Sequence, residues 1–337
     1  MNFITIIVIF RKMKHGLDSI LKNKLILAPM EDVTEPSFRL ICKKLGADIV
    51  FSEFISSEGL IREAKKAVQK LLFYEEERPV GIQIIGANEE SMSEAGSIVE
   101  SFNPDFIDIN CGCWVKDVAL RGAGAGLLRD LPKMRRIIEA VVKNVKLPVT
   151  VKTRPGWDSS SIVLFEIIKI LEETGIAGLI LHCRLRNQAN KGEADWNWIK
   201  KIKDKGIKIP VILNGNVKTP EDVKTAFEKY EPDAVMIGQA AIDNPWIFRQ
   251  SKFYLKHGYN EPLATPEERI EICLEHLRLS VEHKGEKYGV MEFRKHYKGY
   301  FREIRNISSF RMELMKETEY KPIEEKLLSF KEKHKLN

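Results

Sequence analysis

VILNGNVKTPEDVKTAFEKYEPDAVMIGQA, residues 211–240, contains one whole structural unit. VILNGNV (211–217) and AVMIGQA (234–240) are apolar runs without polar alternation, which suits strands buried on both faces, as in a parallel sheet. Between them, KTPEDVKTAFEKY carries helix signals. Thr219 stands as N-cap, Pro220 takes the first helical position and Glu221 the first turn. Six similar runs precede this pair: LILAPM (25–30), IVFSEF (49–54), VGIQIIG (80–86), FIDINCG (106–112), VTVKTR (149–154) and LILHCR (179–184). Eight strand–helix units in about 225 residues predict an α/β fold, a (β/α)8 TIM barrel, over 25–250. A doubly wound open sheet is the runner-up.

The pattern changes after NPWIF (244–248). The stretches EERIEICLEHLRLSVEH (267–283), MEFRKHYKGYFREI (291–304) and KPIEEKLLSFKEKH (321–334) have helical apolar spacing, and Thr265 with Glu268 forms a capping box around Pro266. They predict a small C-terminal α-helical bundle domain over 258–337. Residues 1–24 form an N-terminal extension, MNFITIIVIF and then RKMKH, for which a start at Met13 is the competing reading. Its apolar run is far short of the roughly 20 residues that span a bilayer, and its charges follow the run where a signal peptide has them in front. No stable membrane association is expected.

The 337 residues are 44% hydrophobic and 30% charged, an ordinary soluble composition. Five cysteines, few and odd in number, argue against a disulfide scaffold and for a reducing, cytoplasmic setting. A monomer is expected. The net charge of +6 says little by itself, but residues 281–312 hold eight Lys/Arg against four Asp/Glu.

Chemistry in such barrels collects at the C-terminal strand ends. Those ends carry Pro29 and Met30, Glu53, Gln83, Asn110, Lys152 and Arg154, His182 and Arg184, Asn214 to Asn216, and Gly238 with Gln239. Glycines after strands 7 and 8 let backbone N–H groups approach a phosphate. Lys152, a cation in an apolar setting, requires an anion or an electron-rich ring as partner. Together these suggest a phosphorylated, electron-accepting cofactor such as FMN. RGAGAGLL (121–128) is not a dinucleotide loop, because it neither follows a strand directly nor has the G-x-G-x-x-G spacing. Cys111 and Cys113, one glycine apart, lack zinc-site spacing, and a disulfide across one residue strains the backbone; no metal is expected. Two core cysteines or a catalytic thiol remain.

The order of motifs resembles the tRNA-dihydrouridine synthases, most closely the bacterial type B branch. APMEDVTEPSFR (28–39), DINCGCWVKDVALRGAGAGLLRD (108–130), VTVKTRPGW (149–157), LHCRLRNQANKGEADW (181–196), VILNGNV, MIGQAAIDNPWIF (236–248) and FRKHYKGYF (293–301) carry the likeness, over about residues 25–310. The resemblance implies a flavin barrel with a helical RNA-binding domain, acting on uridines of tRNA. FMN is reduced by NADPH, a hydride passes to carbon 6 of the uracil, and Cys113 protonates carbon 5. Pro29, Met30 and Glu31 would line the flavin, and Gln83, Lys152 and His182 would meet its ring. Asn214, Gly215, Asn216, Gly238 and Gln239 would take the phosphate. On the substrate side the resemblance implies Asn110 for the uracil, together with Arg154, Arg184, Arg294, Lys295, His296 and Lys298, with Arg302 and Arg305 nearby. Three positions depart from the family: Trp114 replaces a proline, Gln239 an arginine and Leu185 a threonine. Reduction of a free pyrimidine or other small molecule, action on ribosomal RNA, and an RNA-binding protein without catalysis are the alternatives.

Overall fold

A computed structural model describes residues 21–302, 304 and 307–335. Residues 1–20 of the expected extension, and Arg305, lie outside these. Eight parallel strands close into a barrel in sequence order: β1 (Lys24–Leu27), β2 (Ile49–Ser56), β3 (Val80–Ile85), β4 (Phe106–Cys111), β5 (Val149–Thr153), β6 (Gly178–His182), β7 (Val211–Asn214) and β8 (Ala234–Ile237). β1 pairs with β8, Leu27 beside Ile237, so the sheet has no free edge. All eight expected strands form. β2 to β7 carry their polar residues Glu53, Gln83, Asn110, Lys152, His182 and Asn214 within the strands, whereas Pro29 and Met30, Arg154, Arg184, Gly215 and Asn216, and Gly238 and Gln239 lie on the loops beyond.

Strand alternation sorts the side chains. One set, including Leu25, Ile82, Ile107, Ile109 and Val151, faces outward and packs under the helices. The other set faces the barrel axis. Its lower layer is apolar, with Ile26, Phe51, Phe106, Ile180, Ile212 and Ala234. Gly81 makes room there, since a Cβ would stand 2.3 Å from the Phe51 ring. Two residues further along β4 to β7 the same inward rows carry Asp108, Lys152, His182 and Asn214. The barrel is thus dry at its N-terminal end and polar at the other. Leu21 is buried in the lower layer, so the last residues of the expected extension belong to the barrel.

Thr219 caps the helix Pro220–Thr225, accepting from Asp222 N. The helix Ile247–His257 still packs on the barrel, and the tail proper begins with the helix Pro266–Lys284. Thr265 caps this helix, but only half of the expected capping box forms. The Glu268 carboxylate instead accepts from Trp246 Nε1 at 2.8 Å and Arg249 at 2.7 Å. The single helix expected over 291–304 is also broken. Glu286–Phe293 gives way to a tight turn, Arg294–His296, and then to Tyr297–Tyr300. Here Gly299 presses on the barrel, where a Cβ would stand 2.3 Å from the Ile242 carbonyl oxygen. The tail core includes Ile41, Leu45 and Trp246 from the barrel. Phe38, on the barrel helix Pro36–Lys44, lies against the tail's His276 and His296.

Candidate active site

A cavity of about 830 Å³ opens at the C-terminal strand ends. Fifteen of the expected residues line it: Pro29, Met30, Glu31, Gln83, Asn110, Cys113, Lys152, Arg154, His182, Arg184, Asn214, Gly215, Asn216, Gly238 and Gln239. Arg302 reaches it from the tail, and Trp114 and Val115 form an exposed apolar lip.

The two cysteines separate cleanly. Cys111, the last residue of β4, faces the outer core and is fully buried. Cys113, in the loop beyond, lines the cavity and is half-buried. Its neighbourhood is crowded: a Cβ on Gly112 would lie 3.2 Å from Thr153 Cα, and one on Gly124 would lie 2.8 Å from Cys113 Cβ. Ala125 N donates to the Cys113 carbonyl at 3.0 Å. The turn Gly124–Arg129, from the glycine-rich stretch, therefore supports the cysteine loop, a role the sequence reading missed. Asn110 Oδ1 accepts from Gly112 N at 3.0 Å and Cys113 N at 2.9 Å, and Arg154 Nε donates to Gly112 O at 2.9 Å. Burial pushes the Cys113 thiol above its ordinary range, although the Val115 N–H and the Arg154 charge act against it. The thiol thus stays protonated near neutral pH.

Lys152 stands beside Asn110 across β4 and β5, facing the cavity. Among the described residues no side chain or carbonyl accepts a hydrogen bond from its ammonium. Burial, helped by the Arg154 charge, pulls it down to about 8. His182 is held well below its usual value by burial, then by Arg154, Lys152 and Arg184, so its ring is neutral. Below this layer Asp108 is fully buried, with Thr150 Oγ1 and Gln83 Nε2 each 2.6 Å from its carboxylate. Burial raises Asp108 to about 7. It belonged to a quoted motif yet received no role; its place two residues before Asn110, on the same strand face, was the available signal.

The loop after β7 bends sharply. Gly215 and Asn216 have φ of 113° and 59°. A Cβ on Gly215 would meet His182 Cδ2 at 2.9 Å, so only glycine fits. Asn214 Nδ2 donates to Met236 O at 3.0 Å, tying the two loops. Gln239 exposes an uncharged amide, while Lys218, not foreseen from sequence, lines the same cavity.

Several expected substrate contacts are occupied within the protein. Arg154 is buried and gives its guanidinium to the carbonyls of Gly112, Leu185 and Ala189, which makes it a clamp between two loops. Arg184 donates to Gly192 O, at 2.8 Å from Nη2, and to Asn216. Arg294, Lys295, His296 and Lys298 lie outside the cavity lining. His296 is buried against Phe38, His276 and Phe293 and presents no charge to a phosphate. Arg294 donates to Glu317 O at 2.9 Å, and Lys295 donates to Asp32 O. Lys298 is exposed and pairs with Asp243 at 3.0 Å. Among the described residues one acidic group, Glu31, Asp32 and Glu53, has ligand atoms close enough to share an ion. Lys70 already pairs with two of the three, at 2.5 Å from Glu31 and 3.7 Å from Glu53.

Residues 26–335 match the family model described as dihydrouridine synthase (Dus). The chain belongs to the dihydrouridine synthase family. Within the family it is 38% identical over 292 residues to a probable tRNA-dihydrouridine synthase of Rickettsia bellii, covering 86% of this chain and 89% of that one. It is also 38% identical over 291 residues to tRNA-dihydrouridine synthase B of Pseudomonas aeruginosa, covering 86% and 87%. Among solved structures, a morphinone reductase in complex with tetrahydroNAD shares the fold at TM-score 0.51 and 12% identity, over 72% of this chain and 89% of that one. A histamine dehydrogenase from a Rhizobium species shares it at TM-score 0.52 and 12% identity, over 76% and 49%. The barrel of this chain is therefore a recurrent one. No helix among its described residues is long and apolar enough to cross a membrane.

Proposed function

We propose that the chain reduces specific uridines of tRNA to 5,6-dihydrouridine in this cavity, with FMN bound there and NADPH as reductant. The observation that carries the reading is the pairing of one half-buried, protonated thiol, Cys113, with a cation, Lys152, that has no hydrogen-bond acceptor among the described residues. The cavity is within the range of about 300–1,000 Å³ usual for small-molecule sites. FMN fits its donor set. Lys152, Gly215, Lys218, Gly238 and Gln239 line the same cavity, where Lys152 would meet an electron-rich ring and the others would take a phosphate. Once reduced, the flavin would supply the hydride for carbon 6 of the uracil.

The chain's own residues supply the remainder. Cys113 Sγ gives its proton to carbon 5, and no neighbouring base is needed because the thiol is already protonated. Lys152 would stabilise negative charge on a flavin ring bound beside it. His182, kept neutral, packs beside Gly215 without adding charge. Trp114 and Val115 give the flipped base an apolar lip to pass, since a stacked base must leave its helix to reach the site. Lys298 and Arg302 extend positive charge from the cavity toward the tail, where the RNA backbone would lie.

The test is direct. Purified protein is incubated with FMN, NADPH and an unmodified tRNA transcript, and nucleosides are measured by mass spectrometry. Dihydrouridine is the expected product. Its absence, together with reduction of free uracil or uridine monophosphate, would overturn the reading in favour of a small-molecule reductase.

A further inference from the structure

The Cys113 loop hangs on a chain of side chains that begins at the buried carboxylate beneath it. Thr150 Oγ1 donates to Asp108 Oδ1 and Gln83 Nε2 to Asp108 Oδ2, both at 2.6 Å. Asn110 Nδ2 donates to Gln83 Oε1 at 2.8 Å. Asn110 Oδ1 then accepts the N–H groups of Gly112 and Cys113. The two ends have fixed character, because an ionised carboxylate only accepts and a backbone N–H only donates. The two amides between them are the ambiguous members, since either can be turned end for end. Given those ends, one arrangement alone leaves no acceptor facing an acceptor and no donor facing a donor. Little water reaches these groups: Asp108 is 0%, Gln83 1% and Asn110 8% exposed.

We infer that Asp108 is a positioning residue, whose carboxylate sets the direction of a hydrogen-bond relay through Gln83 and Asn110 that holds the Cys113 loop at the cavity. The inference rests on the reading of Cys113 as proton donor, and it deepens that reading. Asp108 does not line the cavity and acts only through its neighbours. Arg154 grips the same Gly112 peptide from its carbonyl side, so the loop is fixed at both faces. The ionisable groups coupled to Asp108 are few. Lys152 comes from β5, and the Cys111 thiol, raised by burial, lies on the same strand; Gln83 and Thr150 are neutral. Because burial brings Asp108 up to about 7, its protonation falls near neutrality. Protonation places a donor at the end that must accept, and only the Gly112 and Cys113 N–H groups then fix the direction of the relay.

The experiment compares four flavin-loaded proteins: wild type, Asp108→Asn, Asn110→Asp and the double variant. In Asn110→Asp both ends are carboxylates, and the single NH2 of Gln83 cannot serve two acceptors. In the double variant the relay is complete again, running in reverse: the new amide at 108 donates to Gln83, and Gln83 donates to the new carboxylate at 110. The expected order of thermal melting places Asn110→Asp lowest and the double variant clearly above it. Single-turnover flavin reoxidation by tRNA should fall about 10²-fold in Asn110→Asp, the cost expected of a misplaced reacting group. It should recover at least about tenfold in the double variant. Asp108→Asn, whose amide no longer fixes its own end of the relay, should lie between, and should lose any acid limb near pH 7 that the wild type shows in reoxidation. A double variant that melts no higher than Asn110→Asp overturns the relay. The melting order needs no RNA, so it decides this inference even if the wild type makes no dihydrouridine.

Discussion

Cys111 and Cys113 stand two residues apart, yet one is sealed in the outer core and the other lines the cavity. Cys113→Ala is therefore expected to keep flavin and its reduction by NADPH but to lose about 10²–10⁴ in uridine reduction, the usual range for a lost general acid. Cys111→Ala should cost less than about tenfold, with its effect mainly on stability. Stopped-flow reoxidation by tRNA separates the two, and a dead Cys111→Ala beside a live Cys113→Ala would reverse the assignment. Lys152→Ala should lose the yellow colour on gel filtration if Lys152 is the cation that meets the flavin; full retention of flavin would remove Lys152 from the cofactor site. Asp108 carries a sign of its own. Its value rises from 3.8 to about 7 on folding, so its contribution to stability is full below the lower value and is lost as pH climbs to the upper. At pH 8 the ionised carboxylate costs the fold about 4 kcal/mol. Asp108→Asn should flatten the decline in denaturant stability between pH 5 and pH 8. A decline as steep as in the wild type would mean that another group titrates there. The polar strand ends were legible in the sequence because β-branched runs end on them. The relay was not, because Gln83, Asp108 and Thr150 come from three strands and meet only through barrel register.

At the scale of elements, the tail divides its basic residues between two tasks. Arg294 and Lys295 hold carbonyls of the protein, whereas Lys298 projects to solvent beside Asp243. Lys298→Ala is expected to reduce the salt dependence of RNA binding by about one contact, a slope change of roughly 0.7–0.9, without loss of melting temperature. Arg294→Ala should instead lower the melting temperature and leave the slope almost unchanged. Filter binding across a salt series, paired with thermal denaturation, reads both; equal slope losses would return Arg294 to the RNA surface. Sequence periodicity found the tail's helices but placed one continuous helix across the Arg294–His296 turn. Apolar spacing continues through that turn. Just beyond it Gly299 presses on the Ile242 carbonyl, a partner some 60 residues distant that no local pattern records. The capping box at Thr265 failed for a similar reason, because Trp246 and Arg249 offer Glu268 stronger donors than its own helix end.

Over the whole molecule, barrel and tail share one buried seam, and the seam is sensitive to acid. Neither ring nitrogen of His296 has a hydrogen-bond partner among the described residues, while His276 Nδ1 meets the Tyr300 hydroxyl at 2.8 Å. Burial, with Lys295 nearby, holds His276 down to about 3, and burial holds His296 well below its usual value. A depressed histidine contributes stability that is complete above about 6.5, the unfolded value, and drains away as pH falls toward the folded one. The opening free energy read from amide exchange in the helix Pro266–Lys284 should therefore fall between pH 6 and pH 4, and His296→Phe should lessen that dependence. A pH-independent opening free energy would count against it. The same seam governs the order in which the chain can fold during synthesis. Phe38, Ile41 and Leu45 leave the ribosome early, but the helices that cover them are nearly the last to be made. β1 likewise waits for β8. At about 5–20 residues per second the nascent barrel spends on the order of ten seconds or more with an uncovered greasy face and an open sheet edge. That interval, rather than any weakness of the finished fold, is where this chain is most exposed to aggregation and most in need of a chaperone.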